Sequence, residues 1–261
     1  MTTPETEIST PTATPVSAPQ APVRAALGMT EHAAVGAWAS LTFGAPGRGV
    51  VLEHEGVGRE ADFMVGATRE GISRVMPFAR GGEAFPGMTV ASEEEIVRTL
   101  TPCVDEFAMS GEGGGPKVTL RVYTPHAALP NPKRSGNLQY ATAPGVLLDL
   151  IIDNSDSDAP AMGFVGLNFT KVEGAAEGAA ARLRPIDWSS KTLVGVAESG
   201  RWALAAQGPR EDACTLLSAD AAACVIAGLG GSEPGGGQGG VTVRVPGRSV
   251  KTLTLVFAVY H

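Results

Sequence analysis

The chain has 261 residues, of which 43% are hydrophobic and 18% charged, and its net charge at pH 7 is -7. This apolar content is enough for one sizeable core and is typical of a soluble globular protein with one large domain. The acidic balance argues against a nucleic-acid partner, because a phosphate-binding surface needs clustered Lys and Arg. No apolar run reaches the roughly 20 residues that cross a bilayer, so the sequence predicts no membrane partner.

The first 24 residues consist mainly of Thr, Pro, Ala, Ser and Glu. Ordering such a segment costs backbone entropy that no apolar burial returns, so residues 1–24 are predicted to be a disordered tail. Residues 25–261 are then expected to form a single domain. The N-terminus has neither the basic start nor the apolar core of a secretory signal, which predicts a cytoplasmic protein whose natural start is Met1 or Met29.

Short apolar or alternating runs, separated by Gly, Pro, Asn and Asp, follow the tail and have the usual length of β-strands. They occupy residues 35–43, 50–53, 62–67, 71–78, 117–125, 145–154, 191–198, 241–246 and 249–260. Such a series without regularly intervening helices predicts an all-β fold, an antiparallel β-sandwich of the super-sandwich type.

Two of these runs also predict how their faces are covered. In residues 117–125 the apolar side chains alternate with Thr119, Arg121 and Tyr123, so one face should be buried and the other open. Residues 145–154 are more continuously apolar, which predicts a strand covered on both faces. Only residues 218–228 have a helical pattern, with Ser218 as the candidate N-cap.

Two loop motifs resemble ligand sites but lack the residues that those sites require. The Gly-rich segment 228–240 has Glu233 at the third glycine of a dinucleotide fingerprint and has no Gly-Lys-Ser/Thr, so it is interpreted as a flexible hairpin loop. The acidic segment 153–158 has Asp158 where a calcium-binding EF-hand needs Gly, which favours a solvated turn. No cofactor is predicted.

Neither cysteine nor histidine spacing indicates a metal or disulfide site. The three cysteines (Cys103, Cys214 and Cys224) contain no Cys-x-x-Cys pair, and they are predicted to be small buried hydrophobic residues. The four histidines lack the i, i+4 spacing of a helical metal site. No metal site is predicted, and no Gly-x-Ser-x-Gly motif offers a serine nucleophile.

Several segments in collinear order resemble glycoside hydrolase family 52, a family of β-xylosidases. "HAAVGAWASLTFGAPG" (32–47) is similar to the N-terminal signature of the family, in which a His precedes Val-Gly-Ala and a strand ends in Gly-x-Pro-Gly. The other similar segments are "GISRVMPF" (71–78), "LRVYTPHAALPNP" (120–132), "VLLDLIIDNSDS" (146–157), "GFVGLNFT" (163–170) and "LTLVFAVYH" (253–261). The resemblance covers about residues 29 to 261.

This resemblance implies a two-part enzyme in which an N-terminal β-sandwich packs against an (α/α)6 barrel that holds the catalytic carboxylates. Members of the family are retaining glycosidases. No position of this chain matches the motifs around either carboxylate, so no catalytic residue is assigned and hydrolysis is expected only together with a barrel, in cis or in trans. The implied ligand is a xylo-oligosaccharide or another β-glycoside.

The family signature departs from this chain just before its Val-Gly-Ala, where His-His-Ser-Pro is replaced by Glu31, His32, Ala33 and Ala34. In one interpretation Glu31 and His32 border the sugar site of the complete enzyme. In the other, which we favour, His32 is held at a strand start or a domain seam and takes no part in catalysis.

Three functions are open at this point. A supporting sandwich of a glycosidase predicts an exposed apolar patch where the barrel docks. A free-standing carbohydrate-binding sandwich predicts aligned aromatic side chains on one face, and the aromatic content of 5% counts against it. A structural sandwich that forms a homo-oligomer predicts neither feature.

Overall fold

A computed structural model describes residues 21–33, 39–54, 56–80, 87–123, 145–169, 183–186, 193–198, 202–207, 213–218 and 238–259. These residues form eighteen β-strands and two short 3₁₀ helices, Glu93–Glu95 and Glu112–Gly114. The strands lie in two sheets, and the main hydrophobic core is assembled from residues of both. The predicted all-β sandwich is therefore confirmed.

The first sheet has nine strands, and every neighbouring pair in it is antiparallel. In spatial order these are β1 (Val23–Ala25), β8 (Ile96–Leu100), β9 (Val104–Met109), β10 (Lys117–Tyr123), β11 (Gly145–Asp153), β18 (Val250–Val259), β15 (Trp202–Gln207), β14 (Leu193–Glu198) and β13 (Leu183–Pro185).

The second sheet has seven strands on its main path and two that extend it from one side. The main path is β16 (Ala213–Ser218), β17 (Gln238–Val245), β12 (Ala161–Asn168), β5 (Val57–Arg69), β4 (Val50–His54), β3 (Ala39–Phe43) and β2 (Thr30–Ala33). Strand β6 (Ile72–Val75) pairs with the C-terminal half of β5, and β7 (Thr89–Val90) runs parallel to β6.

The core between the sheets follows from the alternation of side chains along the strands. In β10, Val118, Leu120 and Val122 are fully buried, whereas Thr119, Arg121 and Tyr123 are only partly buried on the other face. This confirms the predicted face assignment for residues 117–123, the described part of this run. At one place the two sheets meet through a cluster of four aromatic rings, Phe43, Phe63, Phe78 and Phe107.

A further small buried apolar cluster lies on the outer face of the second sheet. Its buried members are Met64, Val75, Ala79, Phe164 and Leu216. Phe164 crosses directly over Gly66, where an added Cβ would lie 2.7 Å from the ring and 2.1 Å from the carbonyl oxygen of Arg74. Strands β5 and β12 are thus buried on both faces.

The outer face of the first sheet has no comparable cover in the part of the chain that the structure describes. Leu147 on β11 is 42% exposed and Val256 on β18 is 37% exposed, although their neighbours Leu148 and Leu255 on the inner face are fully buried. The prediction that residues 145–154 are covered on both faces is therefore wrong for this chain on its own. The side chains have the apolar character of a doubly covered strand, but only one face has a cover.

Buried arginines tie the loops together at one end of the sandwich. Arg69 donates to the carbonyl oxygen of Gly114 at 2.6 Å, to the side chain of Asn154 at 2.9 Å and to Asp156 at 2.6 Å. Arg74 pairs with Glu95. The segment 153–158 is a turn, as predicted, and Asn154 within it is fully buried. Two carboxylates of this turn, Asp156 and Asp158, pair with arginine side chains.

Three further predictions from the sequence concern the tail, the cysteines and the helix. Strand β1 includes Val23 and Arg24, the last two residues of the segment predicted as a tail, and residues 1–20 lie outside the described ones. Cys103 and Cys214 are exposed, so the prediction that they are buried is wrong, and Cys224 lies outside the description. The helix predicted over 218–228 also lies outside it, except for Ser218, the last residue of β16.

Candidate functional site

A row of polar side chains crosses the outer face of the first sheet. The strand register places Arg121 of β10 opposite Glu106 of β9 on one side and opposite Asp149 of β11 on the other. Asp149 in turn lies opposite Thr254 of β18. Because side chains opposite each other on one face come within contact distance, four neighbouring strands place these groups in one line.

Hydrogen bonds fix the side chains of this row. Arg121 Nε donates to Glu106 Oε2, and this bond raises the pKa of Arg121. The hydroxyl of Tyr123 donates to Asp149 Oδ2 at 2.7 Å, and that of Thr254 donates to Asp149 Oδ1 at 2.6 Å. The bond to the Asp149 carboxylate raises the pKa of Tyr123, because the phenol must stay protonated to donate it.

A pocket of about 390 Å³ opens at the β8 side of this row. Thr99 and Thr101 line it from β8 and the turn that follows, and Glu106, Arg121 and Tyr123 line it from β9 and β10. Pro22 and Val104 complete its wall. The pocket therefore combines apolar surface, one positive and one negative group, and hydroxyl groups.

An apolar patch lies on the other side of the row. We define it by Leu147, Val256, Ala203, Ala205 and Ala258, which occupy neighbouring positions on β11, β18 and β15. Leu147 and Val256 are directly opposite each other, and the three alanines are partly exposed. Two further exposed hydrophobic residues, Val97 on β8 and Val250 at the other end of β18, lie on the same outer face but apart from this patch.

Aromatic side chains do not form a platform on any face that the structure describes. The described phenylalanines and Trp202 are all buried, and Trp202 stacks between Phe169 and Phe257 inside the core. Tyr123 is the one partly buried tyrosine on the outer face among the described residues. The feature that the carbohydrate-binding sandwich predicted is therefore not found in this part of the chain.

The residues singled out by sequence, Glu31 and His32, lie on β2 at the edge of the second sheet. The side chain of Glu31 is exposed, whereas His32 is only 2% exposed and packs against the ring of Phe43 at 5.3 Å. His32 Nε2 lies 3.5 Å from Asp105 Oδ2 and has no hydrogen-bond partner in the part of the chain described. Their predicted place at a sugar-site border or domain seam stays a prediction.

The charges beside His32 form a buried ion pair between the neighbouring strands β8 and β9 of the first sheet. Arg98 donates through Nε and one terminal nitrogen to the two oxygens of Asp105, at 2.9 and 2.6 Å, and both side chains are 4% exposed. Burial lowers the pKa of His32, and nearby Arg98 adds to this effect, while the Asp105 carboxylate opposes it. Burial thus favours the neutral form of the His32 ring.

A comparison with known protein families identifies the family of this chain. The family model of glycosyl hydrolase family 52 matches residues 67–261. The chain belongs to this family. No curated protein matches the chain. The family 52 match includes the polar row, the pocket residues from Thr99 onward and the apolar patch, whereas Glu31 and His32 lie before its first residue.

Sequence reasoning did not single out the polar row of this family 52 chain. The signal for the row was present, because Arg121 and Tyr123 alternate with apolar residues on a predicted strand. Glu106 and Asp149 gave no such signal, since only the strand pairing shows that they flank Arg121. The described residues contain no cluster of three or more His, Cys, Asp or Glu that could hold a metal ion.

The structure also bears on two simpler expectations. Among the described residues no helix has the length and apolar character needed to cross a membrane. The outer face of the first sheet carries an exposed apolar patch, the feature predicted for a sandwich that supports another domain.

Proposed function

We propose that this chain is the supporting β-sandwich of a β-xylosidase-like retaining glycoside hydrolase. In this role it packs against a catalytic (α/α)6 barrel, in cis or in trans, and has no catalytic residue of its own. Its membership of glycoside hydrolase family 52 supports the reaction class. The substrate of the assembly is a xylo-oligosaccharide or another β-glycoside.

The observation that carries this proposal is the mismatch between the sequence and the cover of β11. The outer face of β11 includes the apolar residues Leu147 and Ile151, yet Leu147 is 42% exposed. On the outer face of the second sheet, in contrast, Met64, Phe164 and their neighbours are buried. A partner domain seated on the apolar patch would remove Leu147 and Val256 from water, which stabilises the assembly by the usual hydrophobic term.

The docking face is tested with two variants that differ in position but not in exposure. Leu147→Glu places a charge in the apolar patch, and Ile72→Glu places one at a residue of nearly equal exposure, 41%, on the second sheet. Binding to a catalytic (α/α)6 domain of glycoside hydrolase family 52 is measured by isothermal titration calorimetry. We expect the Leu147→Glu variant to bind at least tenfold more weakly, and the Ile72→Glu variant to bind as the unmodified chain does.

Equal binding by both variants would show that the barrel does not dock on this face. A second copy of the chain is the competing occupant of the patch. Sedimentation of the chain alone distinguishes the two, because a stable dimer that Leu147→Glu dissociates would favour the oligomerising sandwich.

A further inference from the structure

The pocket on the outer face has hydrogen-bond donors and acceptors beyond those used by its own ion pair. A guanidinium has five N–H donors, and the bond of Arg121 to Glu106 and its proximity to the Tyr123 hydroxyl do not use them all. A carboxylate offers about four acceptor positions, of which Glu106 uses one for Arg121. Because the two side chains are 42% and 27% exposed, these remaining positions are accessible from the pocket.

The charges of the pocket favour a neutral ligand over an ion. An anion attracted to Arg121 would meet the carboxylate of Glu106 in the same pocket and that of Asp149 beside it. A cation would meet the guanidinium. A hydroxyl group both donates and accepts, so a ligand with neighbouring hydroxyls can accept from Arg121 and donate to Glu106 without an unbalanced charge.

The walls of the pocket suit the apolar faces of such a ligand. Pro22, Val104 and Tyr123 offer carbon surface beside the ion pair. The volume of about 390 Å³ lies within the range of about 300–1,000 Å³ that small-molecule pockets have. Since Tyr123 is the single aromatic ring among the described residues that line it, the affinity should be modest.

We propose that this pocket is a binding site for a neutral polyhydroxyl ligand, namely a short sugar, held by Arg121 and Glu106 against Tyr123. The site belongs to the sandwich itself and needs no residue of a catalytic domain. The choice of a xylose oligomer as probe rests on the proposed function, whereas the polyhydroxyl chemistry rests on the pocket. Because Tyr123 is paired with Leu147, the bound sugar would lie next to the apolar patch.

The test is a titration of the full chain with xylotriose, followed by two-dimensional amide NMR spectra. We expect saturable shifts in the millimolar range at residues of β8, β9 and β10. The Arg121→Met variant should bind at least tenfold more weakly. The matched control is Arg248→Met, which removes an equally simple surface ion pair with Asp158 on a distant turn and should leave binding unchanged.

Three outcomes would overturn the proposal: no saturable shifts with xylotriose, equal binding by Arg121→Met, or tighter binding of sulfate than of xylotriose. Glucose and sorbitol serve as further neutral probes, and binding of either in the same pocket supports the polyhydroxyl chemistry without the xylose preference. If Arg121→Met does not fold, as judged by circular dichroism, Glu106→Gln replaces it. Since no barrel is present, failure here is distinct from failure of docking.

Discussion

Replacing Arg98 by Met should destabilise the chain far more than replacing a comparable arginine at the surface. Arg98 is 4% exposed, and its partner Asp105 is equally buried. Without the guanidinium the Asp105 carboxylate stays buried with no cation beside it among the described residues, because burial favours the neutral form of the neighbouring His32 ring. Removing one member of a buried pair in this way costs about 3–5 kcal/mol.

Two other contacts of Arg98 add to this cost. One terminal nitrogen donates to the carbonyl oxygens of Ala26 and Gly28, at 3.2 and 3.0 Å, and so fixes the segment between β1 and β2. The guanidinium also lies over the ring of Phe107, 4.9 Å from its centre. Met keeps the stem that packs there but removes the charge and the donors, which isolates the electrostatic contribution.

The matched control is Arg121→Met, which removes an ion pair whose members are 42% and 27% exposed. Solvent screens such a pair, and its loss should cost about 0–1 kcal/mol. Urea unfolding is followed by tryptophan fluorescence, to which the buried Trp202 contributes. The free energies of unfolding are compared between variants that have the same dependence on urea concentration. A loss for Arg98→Met within about 1 kcal/mol of the control would refute the reasoning.

A second variant separates the charge from the packing. In the double variant Arg98→Met, Asp105→Leu no charge of the pair stays buried, so most of the lost stability should return. If the double variant is as unstable as Arg98→Met alone, the cost comes from lost packing and loop fixation instead of an unpaired carboxylate.

Two further predictions concern buried positions of the second sheet. The lowered pKa of His32 means that the unfolded chain, with a value near 6.5, binds its proton more readily, so stability should be full above that value and fall as the pH drops below it. Unfolding free energies at pH 7.5 and pH 5.5 (about one unit either side) measure this, and His32→Gln should make the drop smaller; an equal drop in both proteins would contradict it. Gly66→Ala should lower stability by about 1–3 kcal/mol, because the new Cβ would lie 2.1 Å from the carbonyl oxygen of Arg74. Thermal unfolding measures this against Gly58→Ala on the same strand, where the nearest atom is 3.5 Å away; equal melting temperatures would rule out the proposed crowding.

Much of the fold could be predicted from the sequence because strand patterns are local. The alternation in residues 117–125 fixes which side chains of β10 face the core, and the structure has the same assignment. The same local signal gave a wrong prediction for residues 145–154. Apolar side chains on both faces of a strand do not show whether the second face is covered by the same chain or by another domain. Leu147 shows that among the described residues it does not.

The polar sites could not be predicted because their members come from distant parts of the chain. Asp105 lies 73 positions after His32, and only the packing of β2 against β9 brings them to 3.5 Å. Glu106 and Asp149 likewise flank Arg121 through strand pairing. A sequence pattern shows a polar residue on a strand face but not the partner that will stand opposite it.

The central claim is that the chain supports catalysis without performing it, and the rate of aryl β-xyloside hydrolysis tests this most directly. The purified chain is assayed alone, and then with a catalytic (α/α)6 domain of glycoside hydrolase family 52. The account predicts no turnover above background for the chain alone and turnover for the mixture that exceeds that of the catalytic domain by itself. Hydrolysis by the chain alone, persisting through further purification, would contradict it.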